Sequence, residues 1–230
     1  IVITGGAGVL GQGVAQIAQS HGADVVLIDV VPDAQDLVGS LIRVDLTDPT
    51  GLKQCFEQIG DFDVLANIAG GFAMGPAVHE TDDAMWDAMF TINVTTLRRV
   101  LNEAMPRLLS RGRGSVINVG ALGAMRGAPN MGAYLASKSV VMRLTESLSE
   151  EVKDAGINVN AVLPTVIDTP RNRADMPDVD PADWVDPQDL GQVICFLGSD
   201  AARAVHGALV GETGTGSLFV GRLCEGRRDV

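Results

Sequence analysis

The length, composition and charge of this 230-residue chain exclude several classes of protein before any motif is considered. The length suits one α/β domain with a large buried core, and 27 glycines with a hydrophobic fraction of 46% suit short strands buried on both faces. A net charge of -12 argues against a nucleic-acid or membrane partner because like charges repel, and no apolar run reaches the ~18 residues of a membrane span.

The chain opens with an apolar strand at residues 1–3 that runs directly into a glycine-rich turn and an apolar-periodic helix. Within the turn, Gly6-x-Gly8-x-x-Gly11 is the dinucleotide fingerprint in its strand–turn–helix context. The glycines let the backbone approach a pyrophosphate that rests on the helix N-terminus. The second strand ends in Asp29, where a carboxylate can accept hydrogen bonds from the adenosine ribose. Together these features predict that the chain binds a dinucleotide.

Asp29 also predicts which dinucleotide is bound. Its carboxylate would accept hydrogen bonds from the ribose of NAD(H) but would repel the 2'-phosphate of NADP(H). The adjacent residues 30–33 contain no arginine to receive that phosphate. We therefore expect NAD(H) to be preferred, with NADP(H) as the less favoured cofactor.

After this opening, the chain alternates strand and helix patterns to its end. Further strands are predicted at residues 24–30, 41–44, 64–66, 116–119, 159–163 and 208–210. Further helices are predicted at residues 51–59, 84–109, 130–155 and 187–197. Such alternation predicts a Rossmann-type α/β fold, with a doubly wound parallel sheet and helices on both faces. No repeat or low-complexity linker divides the chain, so we expect one domain over residues 1–230.

Residues 164–186 depart from this regularity, because they are rich in Pro, Asp and Arg. They lie between a strand and a helix, on the edge where ligands bind in such sheets. We expect this segment to be a substrate lid, with a merely solvated loop as the alternative. Its Trp184 is a large aromatic that is costly to leave exposed, which favours a contact with substrate.

The only tyrosine, Tyr134, stands four residues before Lys138 on the helix predicted at residues 130–155. This spacing puts both side chains on one face of the helix. Because a neighbouring positive charge favours the phenolate, we expect Lys138 to lower the pKa of Tyr134 and suit it for proton transfer. The pair alone is also compatible with an ordinary helix-surface contact.

The three cysteines, Cys55, Cys195 and Cys224, are odd in number, widely separated and without a Cys-x-x-Cys pair. They predict reduced thiols in a cytoplasmic protein that has no metal site. No signal peptide is recognised at the start. Because the first residue is not methionine, we expect residues upstream to be missing.

Taken together, the chain resembles the short-chain dehydrogenase/reductase superfamily almost from end to end. The stretches that carry the resemblance are Thr4-Gly5 to Gly11, Asp45-Leu46, Asn67-Ile68-Ala69-Gly70, Asn93, Tyr134-x-x-x-Lys138 and Pro164 to Thr169. The resemblance implies an NAD(P)-dependent oxidoreductase with a small-molecule substrate, and a homodimer or homotetramer formed through the two longest helices.

The resemblance also implies roles for individual residues. Tyr134 would be the general acid, Lys138 would hydrogen-bond the nicotinamide ribose, and Asn93 would bend its helix and hold a water of a proton relay. The implied cofactor contacts are Gly5, Gly8, Val9, Leu10, Gly11, Asp29, Asp45, Leu46, Asn67, Ala69, Gly70, Tyr134, Lys138, Pro164, Ile167 and Thr169. The residues expected around the substrate are Phe72, Met74, Ala121, Met125 and Trp184.

One position departs from the family pattern. Most members carry a serine thirteen positions before the tyrosine, which helps hold the substrate carbonyl, and this chain has Ala121 there. An inactive enzyme, a substrate that needs no such hydrogen bond, and a replacement donor elsewhere are all compatible with it.

Dihydropteridine reductases, a branch of the superfamily, also lack that serine. They are similar to this chain in Asp168-Thr169-Pro170-x-Asn172-Arg173-x-x-Met176-Pro177 and in Trp184. Asn67 and Asn93 instead resemble the ordinary carbonyl reductases. We therefore expect hydride transfer to or from a small carbonyl, alcohol or conjugated substrate. A quinonoid dihydropteridine reductase is the alternative, and a non-catalytic dinucleotide-binding regulatory module is a further one.

Overall fold

The structure, a computed structural model, describes residues 1–32 and 36–214. Seven strands form one sheet in the order β3-β2-β1-β4-β5-β6-β7, and every pairing is parallel. The strands are β1 (Val2–Thr4), β2 (Val26–Asp29), β3 (Ser40–Arg43), β4 (Val64–Asn67), β5 (Gly114–Val119), β6 (Ile157–Pro164) and β7 (Leu209–Glu212). The predicted doubly wound α/β fold is therefore confirmed.

Helices cover both faces of this sheet. They are α1 (Val9–Ser20), α2 (Pro49–Ile59), α3 (Asp83–Phe90), α4 (Thr96–Arg111), α5 (Gly132–Val152), α6 (Pro170–Asp175) and α7 (Pro187–Leu197). Several begin at a side-chain cap followed by proline. Asp48 accepts a hydrogen bond from the Thr50 amide at 3.0 Å, and Asp186 accepts one from the Gln188 amide at 2.7 Å. Such caps satisfy amides that have no partner within the helix.

Two helix predictions were wrong in detail. The single helix predicted at residues 84–109 is two helices, α3 and α4, joined by a π turn at Thr91–Thr95. The side chain of Asn93 bonds Gly71 in the loop that follows β4. The wider π turn accommodates one more residue than an α-helical turn. Helix α6 was not predicted, although Thr169 caps it through the Asn172 amide at 3.1 Å.

The core lies in two layers, one on each face of the sheet. On one face, α2 and α4 pack around the fully buried Phe56 and Leu108. On the other face, α1 and α7 pack around Val14 and Leu190, which are also fully buried. The central strands are covered on both sides, as parallel strands require.

The strand order reverses between β1 and β4, and this places a crevice at their carboxyl ends. The Thr4 hydroxyl crosses the crevice and accepts hydrogen bonds from the amides of Ile68 at 3.1 Å and Ala69 at 3.2 Å. In open α/β sheets, ligands bind at this reversal of strand order. None of the helices in the described part of the chain has the length and apolar character needed to cross a membrane.

Candidate active site

The glycine-rich turn between β1 and α1 is closed too tightly for side chains. Gly5 has φ +66°, and a Cβ added to it would lie 2.9 Å from the Ala69 backbone. A Cβ on Gly11 would lie 2.7 Å from Gly6 Cα. Real Cβ atoms do not approach backbone so closely, so both positions require glycine. The structure therefore brings the predicted cofactor turn together with the end of β4.

The N-terminus of α1 is suited to an anion. Gly8 occupies the cap position without a side-chain cap bond, and the first turn contains no acidic residue. A Cβ on Gly8 would meet only the Gly5 carbonyl oxygen, at 3.4 Å. Backbone amides and the positive end of the helix dipole remain for a phosphate group. This arrangement fits the pyrophosphate of the predicted dinucleotide, next to Val9 and Leu10.

Asp29 ties the glycine-rich turn to the end of β2. Its carboxylate accepts hydrogen bonds from the Ala7 amide at 3.0 Å and the Val30 amide at 2.7 Å. Arg43, which the sequence analysis missed, pairs with Asp29 in the register of β2 and β3. Its Nε donates to the Val30 carbonyl at 3.2 Å. The predicted ribose end of the site thus has a guanidinium as well as a carboxylate nearby.

The adjacent residues Asp45 and Leu46 have opposite environments in the structure. Asp45 is exposed, and hydrogen bonds from the hydroxyl and the amide of Thr47, both at 2.7 Å, hold its pKa below the ordinary range. The Leu46 side chain is 7% exposed and belongs to the core. If Leu46 contacts adenine, it would do so through its backbone, because its side chain is in the core. An adenine contact remains a prediction for both residues.

Tyr134 and Lys138 lie on α5 beside the carboxyl end of β5. Lys138 is buried, its Nζ donates to the Val119 carbonyl at 2.9 Å, and burial lowers its pKa to about 8. Burial raises the pKa of Tyr134 to about 12. The expected lowering of the tyrosine pKa by Lys138 was therefore wrong for this structure. Desolvation of the phenol dominates, while the ammonium is directed to a backbone carbonyl.

Asn93 clamps the loop that follows β4. The side chain is buried in the π turn, and its Oδ1 accepts from the Gly71 amide at 3.0 Å. Its Nδ2 donates to the Gly71 carbonyl and to Ser137 Oγ, both at 3.0 Å. The helix distortion implied at Asn93 is present, and its water-holding role remains a prediction.

A polar cavity of about 10 Å³ lies beneath these residues, lined in part by Thr4, Asn67, Asn93, Asn118 and Lys138. This volume is close to what one water needs. Asn67 Nδ2 donates to Asn118 Oδ1 at 2.9 Å, whereas Asn67 Oδ1 is buried without a partner among the described residues. A water in this cavity would have polar partners.

An apolar rim of Phe72, Met74 and Met125 lies on the predicted substrate side. Their exposed fractions are 49%, 60% and 65%. The edge of the Phe72 ring contacts Tyr134, with ring centroids 4.9 Å apart and an angle of 82° between the rings. Ala121, by contrast, is 6% exposed and packs in a small apolar cluster with Leu135 and Met142. The structure thus brings Phe72 next to Tyr134 and gives Ala121 an apolar environment.

Trp184 is buried within the segment that was predicted to form a lid. Its exposed fraction is 7%, because residues 164–186 fold back on themselves. Val185 donates to the Val166 carbonyl and accepts from the Asp168 amide, both at 2.8 Å. Pro164 is buried at the end of β6, and Ile167 pairs with Val185. Roles of this segment as a lid, and of Trp184 toward a substrate, remain predictions.

Known proteins resemble this chain over most of its length. A family model described as enoyl-(acyl carrier protein) reductase matches residues 5–211. Cis-4-hydroxycyclohexanecarboxylate dehydrogenase of Sinomonas cyclohexanicum is 31% identical, over 93% of this chain and 94% of its own. Carveol dehydrogenase from Mycobacterium avium, in complex with NAD, has a TM-score of 0.81 at 27% identity, covering 91% of this chain and 95% of that one. ElxO with NADP bound has a TM-score of 0.85 at 21% identity, with coverages of 91% and 95%.

Proposed function

We propose a specific reaction for this chain, which belongs to the short-chain dehydrogenase/reductase superfamily and is an NAD(P)-dependent oxidoreductase. It reduces a small carbonyl or conjugated substrate, with Tyr134 as the general acid. The observation that carries the proposal is the position of Gly70. A Cβ there would lie 2.8 Å from Asn93 Oδ1 and 3.1 Å from Lys138 Nζ. The implied catalytic residues are therefore packed against the loop that follows β4, next to the crevice.

The residues present suit a nicotinamide cofactor, which supplies or accepts the hydride when it is bound. The amides at Gly8 and Val9 would hold its pyrophosphate, and Asp29 would bind the adenosine ribose. Lys138 would hydrogen-bond the nicotinamide ribose, while Ile167 and Thr169 would hold the carboxamide. We propose NAD(H) as the preferred form because Asp29 places negative charge where NADP(H) carries a phosphate.

Tyr134 is in the protonated form that a general acid requires, although its raised pKa makes it a weaker acid than free tyrosine. A phenol with a pKa of about 12 is protonated at neutral pH, so it can donate a proton to the substrate oxygen. Asn93 and a water in the adjoining cavity would resupply that proton. The presence of Tyr134, Lys138 and Asn93 in one site argues against a non-catalytic regulatory module.

The environment of Ala121 supports a substrate that needs no hydrogen bond at this position. A quinonoid dihydropterin is such a substrate, because its conjugated system is already a good hydride acceptor. The similarity of residues 168–177 to dihydropteridine reductases supports this second candidate. Burial of Trp184 weakens it, because stacking of the indole on a flat ring would require the residue to become accessible.

We also propose that the protein is cytoplasmic and assembles as a dimer or tetramer through α4 and α5. The apolar surface near these helices supports this proposal. Trp86 on α3 is 39% exposed and stacks on Phe90, and Leu109 on α4 is 46% exposed. The whole chain would form one domain, with residues 164–186 as a lid.

The experiment is an assay of NADH and NADPH oxidation, by loss of absorbance, with ketones, aldehydes and freshly generated quinonoid dihydropterin. We expect turnover of at least one class, with NADH preferred by at least about tenfold in kcat/KM. Tight NADH binding without turnover of any substrate would instead favour the regulatory module.

Ala121→Ser separates the two substrate classes. The variant should improve reduction of simple ketones by about tenfold, the value of one added hydrogen bond, and leave a quinonoid substrate nearly unaffected. Trp184→Ala should raise KM for a flat substrate with little change in cofactor binding. Efficient reduction of aliphatic ketones by the wild type, with no activity on quinonoid dihydropterin, would exclude the pterin candidate.

A further inference from the structure

Ser137 connects two parts of the site. It lies on α5, immediately before Lys138, and its exposed fraction is 0%. Its Oγ donates to the Tyr134 carbonyl at 2.7 Å and accepts from Asn93 Nδ2 at 3.0 Å. Ser137 therefore joins the helix that carries Tyr134 to the π turn that carries Asn93.

A second chain of contacts joins the same Asn93 amide to Tyr134, through Gly71 and Phe72. Asn93 holds Gly71 through both the amide and the carbonyl, each at 3.0 Å. The next residue, Phe72, places the edge of its ring against the Tyr134 ring. Ser137 thus bonds both the Tyr134 carbonyl and Asn93, while Asn93 also holds Gly71, the neighbour of the Phe72 ring that contacts Tyr134.

The two hydrogens of Asn93 Nδ2 are both used, one by the Gly71 carbonyl and the other by Ser137 Oγ. Removal of the serine hydroxyl would leave one donor of a buried amide without an acceptor. The amide would then lower its energy by rotating toward another acceptor, which would loosen its hold on Gly71 and so on the loop that carries Phe72. The helix itself does not need the hydroxyl, because the backbone amide four residues on already bonds each helical carbonyl.

We propose that Ser137 is a positioning residue for proton transfer, which acts through Asn93 to align Tyr134 with the loop at residues 70–72. The inference rests on the proposed function of Tyr134 as general acid. Neither the sequence pattern nor the implied site residues assign a role to this hydroxyl.

Ser149 on the same helix supplies a matched control. It is 2% exposed, and its Oγ donates to the Glu146 carbonyl at 2.7 Å, the same bond to the third preceding residue that Ser137 makes. Among the described residues, its hydroxyl has no hydrogen-bond partner on another element. Ser149→Ala thus removes the local bond that Ser137→Ala removes, but not a connection to Asn93.

The experiment compares steady-state kinetics of Ser137→Ala, Ser149→Ala, Asn93→Ala and the double variant Ser137→Ala/Asn93→Ala, with NADH and a substrate that the wild type reduces. We expect Ser137→Ala to lower kcat about tenfold, since small misplacements of catalytic groups are costly, with KM for NADH within about twofold. Ser149→Ala should keep the wild-type kcat. In the Asn93→Ala background, Ser137→Ala should have little further effect. Thermal melts check that each variant is folded.

Equal losses of kcat in Ser137→Ala and Ser149→Ala would overturn the proposal, as would effects of Ser137→Ala and Asn93→Ala that simply multiply. Tyr134→Phe is assayed alongside. If it abolishes turnover while Ser137→Ala behaves like Ser149→Ala, only the role of Ser137 fails. If it retains full turnover, the proposed function of Tyr134 fails, and the positioning role of Ser137 fails with it.

Discussion

The glycine-rich turn and the apolar rim lie at the same edge of the sheet but are built differently. The turn is formed mainly by closely packed backbone, and the Thr4 and Asp29 side chains accept hydrogen bonds from neighbouring amides. The rim consists of side chains, and its three members are 49–65% exposed. Cofactor recognition therefore depends on geometry that tolerates almost no added volume. If the rim contacts the substrate, as we propose, substrate recognition would depend on side chains that can change without disturbing the fold.

Tyr134→Phe should have the largest effect, because Tyr134 is the proposed general acid and contacts Phe72 of the rim. The variant loses only a hydroxyl, so NADH binding should persist while kcat falls by roughly 10² to 10⁴. Steady-state kinetics and a fluorescence titration of NADH measure the two quantities. Retained turnover with a substrate that needs protonation would remove Tyr134 from the mechanism.

Lys138→Met tests whether burial lowers the pKa of Lys138, through the pH dependence of the free energy of unfolding. Burial lowers the pKa of Lys138 from 10.5 to about 8, so below pH 8 the folded protein bears the cost of a buried ammonium. That cost fades as the pH rises from about 8 to 10.5, because the unfolded chain then binds more protons than the folded one. The stability of Lys138→Met relative to wild type should therefore decline over this range by on the order of 3 kcal/mol.

Denaturant unfolding of both proteins across this pH range measures the difference, and the comparison cancels groups that titrate in both. A difference that is independent of pH would show that the lysine pKa is not lowered. Turnover by the methionine variant should be low throughout, since the ammonium is lost.

Gly11→Ala tests whether the turn is as rigid as its contacts indicate. The added methyl would meet the backbone of Gly5 and Gly6. Overpacking of this kind costs roughly 1–3 kcal/mol, and if this cost falls on the cofactor-binding geometry, NADH should bind about 5- to 150-fold more weakly. Gly127→Ala is the control, because a Cβ there would have no neighbour within 4 Å. An unchanged Kd for Gly11→Ala would show that the turn can widen.

Asp29→Asn should have the smallest effect and concerns only the choice of cofactor. Asparagine keeps an acceptor for the neighbouring amides but removes the charge. The preference for NADH over NADPH should fall about tenfold, or ~1.4 kcal/mol, through a gain in NADPH use. Adding Arg43→Gln should reverse that gain, if Arg43 receives the phosphate. Equal use of both cofactors by the wild type would contradict the role given to Asp29.

The sequence predicted the strand, the glycine-rich turn and the first helix well because local rules decide them. A strand, a glycine turn and an amphipathic helix in succession determine where β1 and α1 lie, and the structure places Gly5 and Gly11 where only glycine fits. The fold class followed from the alternation of strands and helices. These features depend on neighbouring residues, which a sequence displays directly.

Features that depend on distant residues were not predictable in this way. Arg43 approaches Asp29 through the register of two strands, and the π turn at Asn93 depends on a bond to Gly71. Trp184 is buried because residues on either side of a polar segment pair with each other. The opposite pKa shift of Tyr134 reflects burial, which spacing along a helix does not reveal.

The contact between α1 and α7 links the glycine-rich turn, which precedes α1, to residues 164–186, which precede α7. A Cβ on Gly13 would lie 2.7 Å from the Pro187 carbonyl oxygen, and one on Gly191 would lie 3.1 Å from the Gly13 carbonyl oxygen. Because α7 begins directly after residues 164–186, that segment ends at a helix that packs closely against α1, whose N-terminus is the proposed phosphate site. If the segment moves as the proposed lid, a hinge before Pro187 would leave α7, α1 and the glycine-rich turn undisturbed. Substrate and product could then exchange while the dinucleotide stays bound.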